Sequence, residues 1–199
     1  MQLKERAIIL SKIKYGEADL IVKFITAEGE VYSAMAKSAL KSQKRFGGGV
    51  LEPTHYVSLT LERRGGVDDE RLAVLSESQI LDDFRGLKSD YDRLDLAFHF
   101  IKIVTTVARE GDLHRDIFNL LGHALKSAET VQDLQFLKTQ FNLKLLRLQG
   151  VLPSDEKYAP YLRASIREGI SKTPEYRTDL EEYRQINREI EVIFANYIF

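Results

Sequence analysis

The chain has 199 residues, 44% of them hydrophobic, no cysteine and a formal net charge of −1. The near-neutral balance excludes a global attraction to nucleic acid or anionic membrane, so a polyanionic partner must be met by a local patch. The lack of cysteine excludes disulfides, thiolate chemistry and cysteine-ligated zinc. No stretch reaches the ~18 apolar residues of a membrane span, and the N-terminus lacks the apolar core of a signal peptide. The reading is a soluble, cytoplasmic protein without a membrane partner.

Up to about residue 80 the pattern is that of β-structure. Residues 7–10 and 20–25 are rich in branched side chains, and the second run closes on the turn signal Thr26-Ala27-Glu28-Gly29. Residues 30–36 alternate through Val31, Ser33 and Met35, and 55–61 alternate with Val57, Leu59 and Leu61 on one face. Arg64-Gly65-Gly66 breaks the chain, which resumes over 71–75 and 77–81. Five short strands joined by glycine-bearing turns predict a small closed barrel, since closure hides the strand edges.

Beyond about residue 88 the hydrophobic period lengthens to that of a helix. Leu94, Ala97, Phe98, Ile101, Val104 and Ala108 form one stripe, and Ile117, Leu120, Leu121, Ala124 and Leu125 a second. Leu134, Leu137, Phe141, Leu145 and Leu148 form a third, ended by Gly150 and Pro153. Leu180, Tyr183, Ile186, Ile190, Ile193 and Phe194 form the last. Each stripe needs a partner, so this half reads as an α-helical bundle. The expected class is α+β: a barrel domain over 1–80 and an α-helical domain over 81–199.

Between Val31 and Leu51 stand Lys37, Lys41, Lys44 and Arg45, with no acidic residue. Such a run beside a barrel face can track a phosphate backbone, with Tyr32 and Phe46 offered as stacking surfaces. Gly47-Gly48-Gly49 would let the main chain approach a phosphate. Arg63 and Arg64 fall at the expected tip between the fourth and fifth strands. Lys12 and Lys14, two apart on the first strand, share a side and would extend the track. On charge alone, these residues equally describe solvated loops and a protected strand end.

Catalytic constellations are missing from the sequence. Glu17 and Asp19 have no histidine or second acidic cluster beside them and read as turn residues. His114 and His123 are nine apart, on opposite sides of a helix, so they cannot share a metal; His99 reads as a core or boundary residue. No nucleophile elbow, phosphate-loop lysine or dinucleotide fingerprint occurs. The expectation is a non-enzyme with no cofactor, metal or small-molecule substrate.

Tyr15-Gly16-Glu17-Ala18-Asp19, Thr26, Gly29, Ala36-Lys37-Ser38-Ala39, Arg45-Phe46-Gly47-Gly48 and Leu51-Glu52-Pro53 resemble, in order and spacing, the bacterial recombination mediator family RecO. The likeness returns at Phe141-Asn142-Leu143-Lys144-Leu145-Leu146, Gly150 and Leu152-Pro153. The resemblance implies a five-stranded oligonucleotide-binding (OB-fold) barrel followed by a helical domain, in an accessory factor of DNA repair and recombination. It implies binding of single- and double-stranded DNA, strand annealing, contact with RecR and the C-terminal tail of the single-strand binding protein, and help in loading RecA. Lys37 and Arg45 match the family's motif; Lys41 and Lys44 are inferred from charge. Lys138, Lys144 and Arg147, near one flank of the third helix, would suit the acidic tail. Many members carry a four-cysteine zinc site after the Leu-Pro; here Ser154-Asp155-Glu156-Lys157-Tyr158 follows, so this is a zinc-less member in which Tyr158, Tyr161 and Leu162 would fill the gap. Ser38 stands where glycine is usual. The sparse basic run favours an alternative reading, a protein-interaction adaptor of the recombination machinery with weak or no direct DNA binding.

Overall fold

The computed structural model describes residues 2–62, 73–167 and 180–197. By its internal contacts the chain forms two compact units, Met1–Phe84 with Ala108–Phe118, and Arg85–Val107 with Asn119–Phe199. The sequence places one boundary near residue 80; the contacts also assign eleven later residues to the barrel's unit.

The first unit is a closed barrel of strands β1 (Gln2–Tyr15), β2 (Asp19–Thr26), β3 (Val31–Ala36), β4 (Tyr56–Glu62) and β5 (Ala73–Asp82), in the order β1-β2-β3-β5-β4. All pairs are antiparallel except β3 with β5, which run parallel through Ala34–Ala73, Met35–Val74 and Ala36–Leu75. Its interior holds Ala7, Ile9, Val22, Phe24, Ala34, Val57, Leu59, Leu61 and Leu75, each no more than 1% exposed. β5, expected as two runs, is one strand; its register shifts between Thr60 and Leu61, and this bulge absorbs the interruption at Ser76.

The connection from β3 to β4 is not a hairpin, because β3 pairs with β2 and β5. It carries a turn, the one-turn helix α1 (Gln43–Phe46) and a 3-10 turn over Gly47–Gly49. Ala39, Phe46, Val50 and Leu51 from this connection are buried and belong to the barrel's core.

Ala108–Phe118 packs on the turn between β2 and β3. His114 N–H donates to the Gly29 carbonyl at 2.8 Å, Ser33 Oγ donates to Glu110 at 2.8 Å, and Arg115 pairs with Glu28. Gly29 has φ +93, and a Cβ there would fall on the backbone of His114 and Arg115. Tyr56 and Phe118 place their rings 6.2 Å apart.

The second unit contains α2 (Tyr91–Val107), α4 (Leu134–Leu148), α5 (Ala159–Arg163), α6 (Leu180–Tyr197) and all but the first turn of α3 (Arg115–Ala128). α4 is its centre: Phe136, Leu137, Phe141, Leu143, Leu145 and Leu146 are buried around it, and so are Thr139, Gln140 and Asn142. Those polar groups are satisfied. Thr139 Oγ1 bonds to the Gln135 carbonyl and Asn187, Gln140 donates to the Tyr161 and Ala164 carbonyls, and Asn142 Oδ1 accepts from His99 Nε2 at 3.1 Å. Two stripe residues depart from expectation: Phe98 and Leu148 are 45% and 44% exposed. In α2 the buried face is centred on Leu96, Phe100 and Ile103 together with Ala97, Ile101 and Val104, and Phe98 lies outside it.

Where a zinc segment would follow α4, Tyr158 and Tyr161 are buried, 3% and 0% exposed, and Leu162 is half-buried. The Tyr161 ring stacks on Phe136 at 4.5 Å. Glu189 accepts from Tyr158 Oη at 2.6 Å and from Lys157 Nζ at 2.8 Å, which ties this segment to α6. Burial, then the Glu189 carboxylate, push the Tyr158 phenol up to about 12.

Candidate nucleic-acid interface

The β3–β4 connection sets its basic residues apart by role. Lys37, Lys41 and Lys44 are exposed. Arg45 is half-buried, and its guanidinium donates through Nη2 to the Lys37 carbonyl at 3.0 Å and through Nε to Ser42 Oγ at 3.1 Å, while lying 5.3 Å from the Phe46 ring centre. Arg45 therefore shapes the connection that presents the lysines. Phe46, 6% exposed, packs in the core and offers no stacking surface. Tyr32 is half-buried, its hydroxyl donating to Glu30 at 2.6 Å.

Ser38 adopts a backbone conformation that favours glycine. Its φ is +53, a left-handed conformation that costs an L side chain about 1–2 kcal/mol. Its N–H donates to Asp19 Oδ1 at 2.7 Å, which offsets part of that cost and gives Asp19 the turn role expected of it.

Lys12 and Lys14 fall on the other side of β1 from the one that uninterrupted alternation predicts. β1 carries a bulge between Ile9 and Ser11, beyond which Lys12 pairs with Val22 and Lys14 with Leu20. Residues directly opposite in a ladder point to the same side, so both lysines fall on the side of β2's core residues, at the barrel's end. There Lys12 forms an ion pair with Glu52. Arg63 and Arg64 lie outside the described residues.

The same bulge turns Ser11, Ile13 and Tyr15 outward, opposite Lys23, Ile21 and Asp19. Across β2, Ile21 faces Met35 and Lys23 faces Ser33. Ile13 and Tyr15 are 64% and 53% exposed. The outer surface of β1, β2 and β3 thus carries an apolar ribbon, Ile13–Ile21–Met35, with Tyr15 and Lys23 beside it, and Lys37 follows directly from β3. Sequence reading missed Ile13, Tyr15 and Lys23. Uninterrupted alternation from Ala7 and Ile9 assigns Ile13 and Tyr15 to the interior, and only the bulge reverses that parity.

The predicted Lys138–Lys144–Arg147 flank is not one surface. Lys144 Nζ donates to the Leu162 carbonyl at 2.8 Å, and burial followed by the charge of Arg147 holds its ammonium below the usual lysine range. Lys138 instead lines a cavity with His99 and Gln135. Among the described residues no group of histidine, aspartate and glutamate is arranged to hold a metal ion, and no helix is long and apolar enough to cross a membrane.

A five-stranded barrel closed in this strand order, with a helix between β3 and β4 tucked into its core, is an OB-fold, and its β2–β3 face and adjoining loops are where such barrels take oligonucleotides. The N-terminal family model for recombination protein O matches residues 1–84. The DNA repair protein RecO of Maridesulfovibrio salexigens is 32% identical over 153 residues, covering 77% of this chain and 61% of that protein. The RecO proteins of Desulfatibacillum aliphaticivorans and Anaeromyxobacter dehalogenans are 35% and 30% identical over 152 residues, covering 74% and 76% of this chain and 57% and 58% of theirs. The chain is thus similar to RecO proteins, and its match spans about three-fifths of the length of these relatives.

Proposed function

We propose that this protein is an accessory factor of DNA repair and recombination that binds DNA through its barrel and acts without catalysis. The observation that carries the reading is the cluster Lys37, Lys41 and Lys44: three exposed cations in a stretch, 37–45, that holds no acidic residue, beside the face an OB-fold uses for oligonucleotides. The lysines neutralise phosphates while Tyr15 and the Ile13–Ile21–Met35 ribbon meet bases of an unpaired strand. Base stacking on an aromatic is worth about 1–3 kcal/mol, so Tyr15 is the residue expected to favour single-stranded over duplex DNA. The likeness to RecO proteins extends the proposal to strand annealing, to RecR and the single-strand binding protein tail as partners, to RecA loading, and to work in the cytoplasm.

Fluorescence anisotropy with single- and double-stranded oligonucleotides across a salt series tests this. Replacing Lys37, Lys41 and Lys44 with alanine should reduce the salt slope for single strands by about 2, near 0.7 per lost contact. Wild-type-like binding by that variant refutes the assignment. One observation favours the adaptor reading: Arg45 is engaged within its own connection and Lys12 by Glu52, which thins the cationic track. On that reading the wild-type protein would bind oligonucleotide no tighter than the roughly 10⁻⁴–10⁻⁶ M of non-specific contact.

A further inference from the structure

The second unit carries a cationic trough that the barrel reading does not use. A cavity of about 600 Å³ opens between α2, α4 and α6, with Lys102 from α2, Lys138 from α4, and Arg184 and Arg188 from α6 along it. Among the described residues Glu191 is the one acidic residue lining it. Arg184 and Arg188, four apart on one helix face, share Glu181 only at 3.7 and 3.6 Å, with side chains 59% and 70% exposed. Such pairs hold their cations weakly and leave them available. Among the described residues neither Lys102 nor Lys138 has an ion-pair partner.

The remaining lining narrows the ligand. Asn187 sets an amide along the trough, held by Thr139 and the Tyr183 carbonyl, with Asn142 buried beneath and engaged by His99. Its apolar residues Ile103, Ile190 and Phe194 are 3%, 2% and 6% exposed, and the accessible apolar surface comes from Ala195, the Tyr183 ring and the stems of the cationic side chains. Repeated positive charge from three helices with the Asn187 amide among them suits a chain of evenly spaced anionic oxygens. Beyond His99 and Lys138 the neighbouring cavity is lined by Asp92, Asp95 and Asp133, which ends the cationic track on that side.

We propose that this trough is a second nucleic-acid site, holding the phosphate backbone of one strand while the barrel holds another; this rests on the reading of the barrel as DNA-binding. Two separate sites on one chain bring two strands together without any change in charge elsewhere on the molecule.

The test titrates the full chain with a short labelled single strand and follows stoichiometry and salt dependence. Three proteins are compared: wild type, Lys102→Ala/Arg184→Ala/Arg188→Ala, and the barrel triple-alanine variant. The trough substitutions are on exposed side chains, and an unchanged circular dichroism spectrum verifies the fold. Wild type is expected to bind two strands, and each variant one. The trough variant should also lower the summed salt slope by about 2, near 0.7 for each cation removed. A trough variant that still binds two strands overturns the inference. So does a wild type that binds one strand with an affinity the trough variant leaves unchanged, while the barrel reading stands. A barrel variant that keeps both strands sinks the barrel reading instead, and a wild type that binds none sinks both. Displacement of the second strand by a glutamate-rich peptide of equal charge, bound more tightly than DNA, overturns the inference in favour of a protein partner.

Discussion

Replacing Gly29 with alanine should destabilise the barrel far more than the same change at Gly16, although both glycines have positive φ. At Gly16, φ is +62 and a Cβ meets nothing within 4 Å, so the cost is conformational, about 1 kcal/mol. At Gly29, φ is +93, further from the left-handed well, and the new Cβ lands within 3.0 Å of backbone atoms of His114 and Arg115, which no rotamer can move aside. Relief requires Ala108–Phe118 to shift, weakening the His114-to-Gly29 hydrogen bond and the Arg115–Glu28 pair. Overpacking costs about 1–3 kcal/mol and the hydrogen bond about 1, so Gly29→Ala should lose about 3 kcal/mol. That is a large part of the ~5–15 kcal/mol that stabilises a typical domain. Urea unfolding followed by far-ultraviolet circular dichroism reads both variants under one condition. If the two losses agree to within about 0.5 kcal/mol, a resolution typical of such comparisons, the close approach of 108–118 to this turn is refuted.

Two further outcomes follow from the helical unit. Burial, the hydrogen bond to Asn142 notwithstanding, holds His99 below the usual histidine range, with Lys138 and Lys102 lowering it further and Asp95 opposing them. The unfolded chain then takes up the proton first, so stability is full above the ordinary value near 6.5 and is lost as pH falls from there toward the folded value. His99→Gln should flatten melting curves taken between about pH 7.5 and 5, leaving the part owed to His123, and a profile parallel to wild type would count against it. Tyr158→Phe and Glu189→Gln should each cost about 1–2 kcal/mol and the double variant less than their sum, because both remove the same charge-assisted bond; strict additivity would show that the bond does not hold the segment to α6.

The barrel was legible because its interior positions alternate cleanly: Val57, Leu59 and Leu61, expected on one face, are all buried. The helical stripes were equally plain at Ile117, Leu120, Leu121, Ala124 and Leu125, every one of them buried. Misreadings arose where a tertiary device overrides a local period. The bulge in β1 reverses the facing of Ile13 and Tyr15 relative to Lys12 and Lys14, and a bulge that supplies one extra residue leaves no composition signal. Phe46 follows two cations and precedes three glycines, which reads as an exposed loop, yet α1 turns it into the barrel's core. Around α4, burial on nearly all sides admits Thr139, Gln140 and Asn142 to the interior, a placement decided by carbonyls and amides from distant segments that no stripe encodes. The cationic trough draws on residues up to 86 positions apart, Lys102 to Arg188, and no window of sequence brings them together.

The assignment of Ala108–Phe118 to the barrel's unit has a consequence for synthesis of the chain. A ribosome releases all five strands by residue 82, but the residues that cover the β2–β3 turn emerge only after α2 has been made. Until then Gly29 and Ser33 lack the partners that His114 and Glu110 supply. The barrel of a nascent chain is thus finished from within the helical sequence, and a fragment cut at residue 84, where the family model ends, leaves that turn uncovered.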